Sequence, residues 1–480
     1  MAAGQFAKDP AVDRALRHSV RDGMAFSIAA GGGETYFSAY ALFFGATAPQ
    51  VALLTTLPPL LGSLAQILSA WLGNFYARKR LILLGAGAQA LTWLPILVLP
   101  MWFPAHAVPI LLVMFSLYHA AANLVAPQWT SMMRDLVSER RRGRYFGYRT
   151  KLTTATSFVA LAACGFLLHL FDTAGDTYLG YVVIFLIAYV ARSVSVYHLS
   201  FLHELPNPTP APDIHVSHWW DQLTATGAVG FSRYYILMNG AVGIAAPFFT
   251  VYMLRDLELT YLQFTVVTGM SVLVQFLTLS TWGRIADVYG NRPIMIVSSI
   301  SLPFVPLLWM VSANVWYLIA IQALTGLFWA GFSLAGGNLL FELVPRSRRA
   351  AYVAFHNVGT AAGVFVGAMI GAGAATLLPA RDPFVGAAAH ASNLLGVFAI
   401  SAVARAIVAA LLAHHVRDLR KPRRELTPQA LVLRVTGFNA MLGLLYDFIG
   451  RNPGAASKGP AEGLDLQRAL GDDARERRQR

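Results

Sequence analysis

The chain has 480 residues, 56% of them hydrophobic and 13% charged, with a mean hydropathy of +0.53. Soluble domains of ordinary composition cannot hide that much apolar surface, so the chain is expected to lie in a bilayer. The net charge of +13 would suggest nucleic acid in a soluble protein, but the basic residues fall in short segments between apolar runs. Anionic lipid is then the nearer partner and nucleic acid is not expected.

The N-terminal segment M-A-A-G-Q-F-A-K-D-P is polar and leads through Arg14, Arg17 and Arg21 into the first apolar span. It has no short hydrophobic region with a cleavage site, so no removable signal peptide is expected. Stretches long enough to cross a core of about 30 Å begin near residues 23, 49, 81, 107, 151, 178, 224, 261, 293, 315, 351 and 392. These predict an all-α membrane protein of twelve transmembrane helices in two six-helix, pseudo-symmetric bundles. Arg78 to Arg80, Arg134, Arg140 to Arg142, Arg284, Arg292, Arg346, Arg348 and Arg349 fall on one side, against Arg255 and Arg381 on the other. The positive-inside rule then puts both termini in the cytoplasm, and the chain is expected in the cell's inner (plasma) membrane. The single cysteine, Cys164, lies in an apolar span, which excludes an intramolecular disulfide and a thiolate metal cluster.

The expected boundaries are an N-terminal bundle over 1–202, a cytoplasmic linker over 203–222 rich in proline (Pro206, Pro208, Pro210, Pro212), a C-terminal bundle over 223–415 and a basic cytoplasmic tail over 416–480. Leu431, Val435, Phe438, Leu442 and Leu445 recur at helical spacing in that tail. They predict an interfacial helix over 430–450, with a thirteenth span as the rival reading.

The chain also repeats itself. D-L-V-S-E-R-R-R-G-R-Y from Asp135 returns as E-L-V-P-R-S-R-R-A-A-Y from Glu342, an offset of 207, and V-A-R at Val190 to Arg192 returns at Val403 to Arg405, an offset of 213. Two points at nearly one offset indicate a duplicated half, and an even number of spans per half relates the halves by an axis along the membrane normal. Arg192 and Arg405 each lie partway down the last span of a half. A charge at such depth costs about 2.5 to 3.5 kcal/mol, so each needs a partner or must snorkel.

At the end of the eighth span the chain reads W-G-R-I-A-D-V-Y-G-N-R-P, containing Gly283, Asp287, Gly290 and Arg292. This resembles the G-x-x-x-D-x-x-G-R/N-R signature of the major facilitator superfamily, placed in the cytoplasmic turn between the second and third helices of a half. The resemblance covers about residues 20 to 415 and implies a bacterial-type permease in which the motif is a cytoplasmic latch. In the first half Gly73 is kept but Ala77 stands where the Asp should be, so a latch built on the Asp rests on the second half. Gating is assigned to Gly283, Asp287, Gly290, Arg292, Arg142 and Arg349, with topology and lipid contact as the alternative for the two repeated arginines.

A substrate is rarely two-fold symmetric, so polar residues without a counterpart in the other half are the better site candidates. Glu34 lies near mid-span with Ser27, Gly31 and Ser38 on one stripe, and reads either as a proton carrier or counter-charge, or as a protonated packing carboxyl. His119 and Asn123 share a face of the fourth span with Ser116 and Thr130; Arg233 and Asn239 lie on the seventh, and Gln322 and Trp329 on the tenth. The resemblance places the first, fourth, seventh and tenth helices around a central cavity. Arg233 is expected either to bind an anionic group or to pair with Glu34. Gly359, Gly363, Gly367 and Gly371 form a four-residue stripe expected to face span two, at Gly62, Ser69 and Gly73. Span five lacks the glycine and Gly-Pro motif of the family's drug antiporters, which weighs against that class.

The expected function is secondary active transport of a small solute by alternating access, with proton coupling through Glu34. The alternatives are a transporter-like membrane receptor and a drug or metabolite exporter. No cofactor, metal or catalytic residue is expected: H-E-x-x-H and G-x-S-x-G are absent, and His414 and His415 are adjacent, so they diverge on a helix. The partners are a small-molecule substrate, protons and the bilayer, and the carrier is expected to act as a monomer.

Overall fold

A computed structural model describes residues 6–7, 9–138, 141–204, 227–344, 349–384 and 391–412, with side chains of the segment from 349 described from Tyr352 onward. The linker beyond Glu204 and the tail with its interfacial helix over 430–450 lie outside the described residues. The first half comprises α1 (Pro10–Gly32), α2 (Phe37–Phe43), α3 (Ala48–Leu72), α4 (Arg78–Trp102), α5 (Ala107–Leu136), α6 (Arg142–Thr173) and α7 (Thr177–Ser200). The second comprises α8 (Ala228–Gly243), α9 (Ala246–Val251), α10 (Tyr261–Tyr289), α11 (Asn291–Ser301), α12 (Phe304–Leu308), α13 (Val315–Leu343), α14 (Arg349–Leu377) and α15 (Leu394–Leu412). Eleven helical segments among the described residues, all from Ala48 onward, are long and apolar enough to cross a membrane. The charges Arg14, Arg17, Arg21 and Asp22 keep α1 out of that set.

The packing repeats as the sequence does. In the first half α1 packs on α6 and α7, and α5 on α3 and α4; in the second α8 packs on α14 and α15, and α13 on α10 and α11. A third echo, unnoticed at the level of sequence, starts corresponding helices at an offset of 213. Thr47 with Gln50 opens α3 and Thr260 with Gln263 opens α10, each a capping box. The Gln side chains accept from the backbone N–H of Thr47 at 2.8 Å and of Thr260 at 3.0 Å, meeting donors that a helix start leaves unpaired.

The repeated D/E-L-V segments make matching ties. Arg78 at the start of α4 donates to Asp135 at 2.8 Å, and Asn291 at the start of α11 donates to Glu342 at 3.0 Å. The Tyr145 hydroxyl donates to the Leu16 carbonyl at 3.1 Å, joining α6 to α1, and Tyr352 hydrogen-bonds Ser232 at 2.7 Å, joining α14 to α8.

Proline breaks are patched from neighbouring helices. Pro306 has no N–H for the carbonyl of Leu302 four residues before it, and Arg405 donates to that oxygen at 3.0 Å. Pro100 frees the Ile96 carbonyl in the same way, and the Tyr40 hydroxyl reaches it at 3.3 Å. Arg405 therefore meets its desolvation with a backbone acceptor and with Ser401 at 3.1 Å.

The glycine stripe corrects an expectation. Gly363, Gly367 and Gly371 lie against the backbone of α8 at Ile236, Gly240 and Ile244, inside their own half, and not against α3. The small residues of α3 instead pack on α5: Gly62 faces Asn123, Gly73 faces Gln128, and Ser69 donates to the Leu124 carbonyl at 2.6 Å. Glycine on both sides lets α8 and α14 approach backbone to backbone, a contact that α3 cannot match.

The halves meet through α3 with α14 and α6 with α10. At the end away from the basic turns one apolar cluster draws on both, including Tyr40, Val51 and Leu54 with Phe248, Val251 and Leu257. At the basic end the cluster of Leu16, Ile82, Met133, Tyr145 and Leu199 is built from the first half alone.

Candidate functional site

α1 stops at Gly32 and resumes as α2 after a 3-10 turn, Glu34–Tyr36. The run Gly31 to Gly33 allows this, because a Cβ at Gly31 would strike the Ser157 backbone on α6 and one at Gly33 would strike Trp93 on α4. Glu34 opens the turn, where the helix no longer consumes every backbone group. Its Oε1 accepts a hydrogen bond from the buried Tyr118 hydroxyl on α5 at 2.5 Å. Tyr118 is fixed edge-on to Phe37 and Trp93, so the donor is held by packing.

Twelve residues earlier on α1, Asp22 is buried in a second polar cluster that sequence reasoning missed. Its Oδ1 accepts from the Ser195 hydroxyl at 2.6 Å, and its Oδ2 lies 3.5 Å from the Arg149 guanidinium. Arg149 also donates to the Ser19 carbonyl at 3.1 Å and sits 4.4 Å over the Trp129 ring. Arg192, 3% exposed, belongs to this second cluster. Its Nη1 donates to Ser195 at 2.6 Å, and its guanidinium lies 4.8 Å from the Phe26 ring centre. Its Nε has no hydrogen-bond partner among the described residues. The partner that Arg192 was expected to need is thus a carboxylate, reached through a serine. Arg405, its repeat, meets no such acid among the described residues.

Glu34 does not pair with Arg233, which is exposed near the start of α8. The pairing fails because Glu34 points into the first bundle toward α5 and α7. Asn123 joins a different network: its Nδ2 donates to the His119 carbonyl at 2.8 Å, its Oδ1 accepts from Gln66 at 2.6 Å, and Gln66 accepts from Asn357 of the second half at 3.4 Å. The half-buried His119 ring has no hydrogen-bond partner among the described residues. In the second half buried Asn239 donates to the Tyr235 carbonyl at 2.9 Å; Tyr235 stacks on Phe332 at 5.1 Å, and Phe332 on Trp329 at 5.4 Å. Gln322 is half-buried on α13, apart from that stack.

Among the gating candidates, Gly290 ends α10 with φ of 84°, a left-handed conformation suited to glycine, and its N–H donates to Ala286 at 2.9 Å. Gly283 faces open space, Asp287 is exposed, and no ion pair joins Asp287 to Arg292. Arg142 donates to the Arg134 and Val137 carbonyls at 2.9 and 3.3 Å, capping the end of α5. Arg349 begins α14, with its side chain outside the described residues.

The sequence profile of the Major Facilitator Superfamily matches residues 23–225 and 234–453, nearly the whole chain in two pieces. The chain belongs to the major facilitator superfamily. It is accordingly a multi-pass transporter of the plasma membrane and not an enzyme. Among curated relatives, the multi-drug resistance efflux pump PmrA of Streptococcus pneumoniae is 26% identical over 160 residues, 31% of this chain and 38% of the pump. The multidrug resistance protein MdtG of Serratia proteamaculans is 30% identical over 90 residues, 19% of this chain and 22% of that protein. The matched stretch is under two-fifths of either relative's length. Among solved structures, nucleoside transporter NupG aligns with a TM-score of 0.62 at 12% identity over 84% of this chain and 98% of its own. A bacterial homologue of the iron transporter ferroportin, in an inward-facing state, aligns at 0.63 and 14% over 84% and 98%. At these identities the likeness concerns the fold.

Proposed function

We propose that this superfamily member is a secondary carrier that moves a small solute by alternating access and couples it to protons through Glu34. The observation that carries the reading is a carboxyl at the break of a membrane helix, bonded to the fixed hydroxyl of Tyr118. A carboxyl held by a single neutral donor can exist charged or neutral, as a proton carrier requires. Asp22, with Arg149 and Arg192, is the fixed counter-charge at the basic end of the same bundle. On this reading α1 and α2 form the first of twelve crossings, the bundles are 1–202 and 223–415, and both termini lie on the basic, cytoplasmic side. Polar and aromatic groups on α5, α8 and α13, among them His119, Asn123, Asn239, Gln322 and Trp329, line the solute path. The apolar seal between halves at the far end supports an arrest open toward the basic side.

The test uses purified carrier, first screened by thermal shift against a metabolite library to find a ligand, then reconstituted. An imposed pH gradient should drive uptake of that ligand in wild type. Glu34→Gln should abolish the driven uptake while sparing ligand exchange; undiminished driven uptake in the variant contradicts the assignment. Export of drug-like compounds is a second reading, favoured by the likeness to PmrA and MdtG.

A further inference from the structure

Two adjoining apolar grooves open on the bilayer-facing side of the first bundle, separated by Ile28 of α1 and Ile187 of α7, which line both. One, of ≈ 550 Å³, runs between α1 and α7 past Val183, Leu186, Val190 and Val194. The other, of ≈ 390 Å³, runs along α6 from Ala155 past Val159 and Ala163 to Leu167. At 1.5 Å per residue these stretches are roughly 16 and 18 Å long, about the depth of one leaflet of a core of about 30 Å.

The mouths of both grooves at the basic end are cationic. Arg14, Arg17 and Arg21 lie on the same stripe of α1 as Ile28, at spacings of three, four and seven, and are exposed. Arg144 and Lys151 lie on the stripe of α6 that carries Ala155 and are exposed as well. The acids nearby are turned elsewhere: Asp13 holds Arg17 at 2.9 Å and the N–H groups of Phe6 and Ala7, and Asp22 is buried toward α7. Arg14, Arg21, Arg144 and Lys151 engage no carboxylate among the described residues.

We propose that this face binds one anionic phospholipid of the leaflet at the basic end, its two acyl chains in the grooves on either side of Ile28 and Ile187 and its phosphate on Arg14, Arg21 and Lys151. Charge complementarity selects the headgroup, and groove length selects a membrane lipid over a short amphiphile.

Full-length protein in neutral detergent is titrated with phosphatidylglycerol or phosphatidylcholine of identical chains and bound lipid is counted by native mass spectrometry. Phosphatidylglycerol should bind at least about tenfold more tightly. Arg21→Gln with Lys151→Gln should remove that preference, at about fivefold per charge, and Ile187→Trp, which fills both grooves, should weaken both lipids. Equal affinity for the two lipids overturns the proposal, as does wild-type preference in the double variant. Glycerol 3-phosphate should not displace the lipid at equal concentration; if it does, free phosphate is the ligand and the grooves play no part.

Discussion

Glu34 and Asp22 show how differently two acids on one helix can be read. Glu34 stands out in the sequence because a carboxyl in mid-span has no counterpart in the second half. Asp22 passes for a marker of the membrane boundary, because Arg149 and Ser195 lie 127 and 173 residues away and no local spacing announces them. The expected Arg233 partner failed for the same reason: the helix was identifiable, the direction of the side chain was not. Tyr118→Phe removes the only hydrogen bond to the Glu34 carboxyl among the described residues and should cut proton-driven uptake about tenfold while leaving exchange intact, as a lost bond to a charged group of about 1.5 kcal/mol implies. Equal loss of both activities would assign Tyr118 to packing. Outside the span, desolvation pushes the Asp13 carboxyl up, but the N–H groups of Ala7 and Phe6 and the Arg17 guanidinium outweigh it and hold it below the ordinary Asp value. Its stabilising contribution is therefore full above that ordinary value and is lost as pH falls through the lowered one. Asp13→Asn should lower the melting temperature at pH 7, and the gap from wild type should close in strong acid; a gap independent of pH would count against the ion pair.

Helix existence and order were legible because apolar runs of bilayer length leave little choice, and the duplication fixed which helices correspond. Helix partners were not. A glycine stripe shows that something approaches closely, and only the fold shows that α8, with Gly240 in register, is what approaches α14. Gly367→Val should thus destabilise the second bundle by about 1 to 3 kcal/mol, seen as a lower melting temperature in detergent. A neutral effect would return the stripe to the moving interface. Arg405→Met leaves the Leu302 carbonyl unpaired between α11 and α12 and should cost a similar amount, about 1 to 3 kcal/mol, without altering coupling. Loss of coupling at normal stability would place Arg405 in the mechanism instead.

At the scale of the whole molecule, the two halves carry matching scaffolds and different chemistry. Tyr145 on α6 and Tyr352 on α14 make the same tie, to α1 and α8, yet beside them the first half places Arg149 on Asp22 and the second places His356 on Ser232 at 2.8 Å. Repetition builds the shared frame, and the ionic version of the repeated contact sits in the bundle with Glu34. The halves are tied at the far end by the Tyr36 hydroxyl, which donates to Leu161 and meets Thr265 of the second half, both at 2.9 Å. Opening on that side requires this link to part, and protonation of Glu34, two residues away, is the event proposed to bias it. The most direct measurement is the distance between spin labels at Ser138 and Arg284, one on each half at the basic end, in a Cys164→Ala background in lipid. Wild type should shift its distance distribution by several ångström between acid and alkaline pH, and Glu34→Gln should hold a single distribution at both. The same pH-dependent shift in wild type and variant would contradict the account.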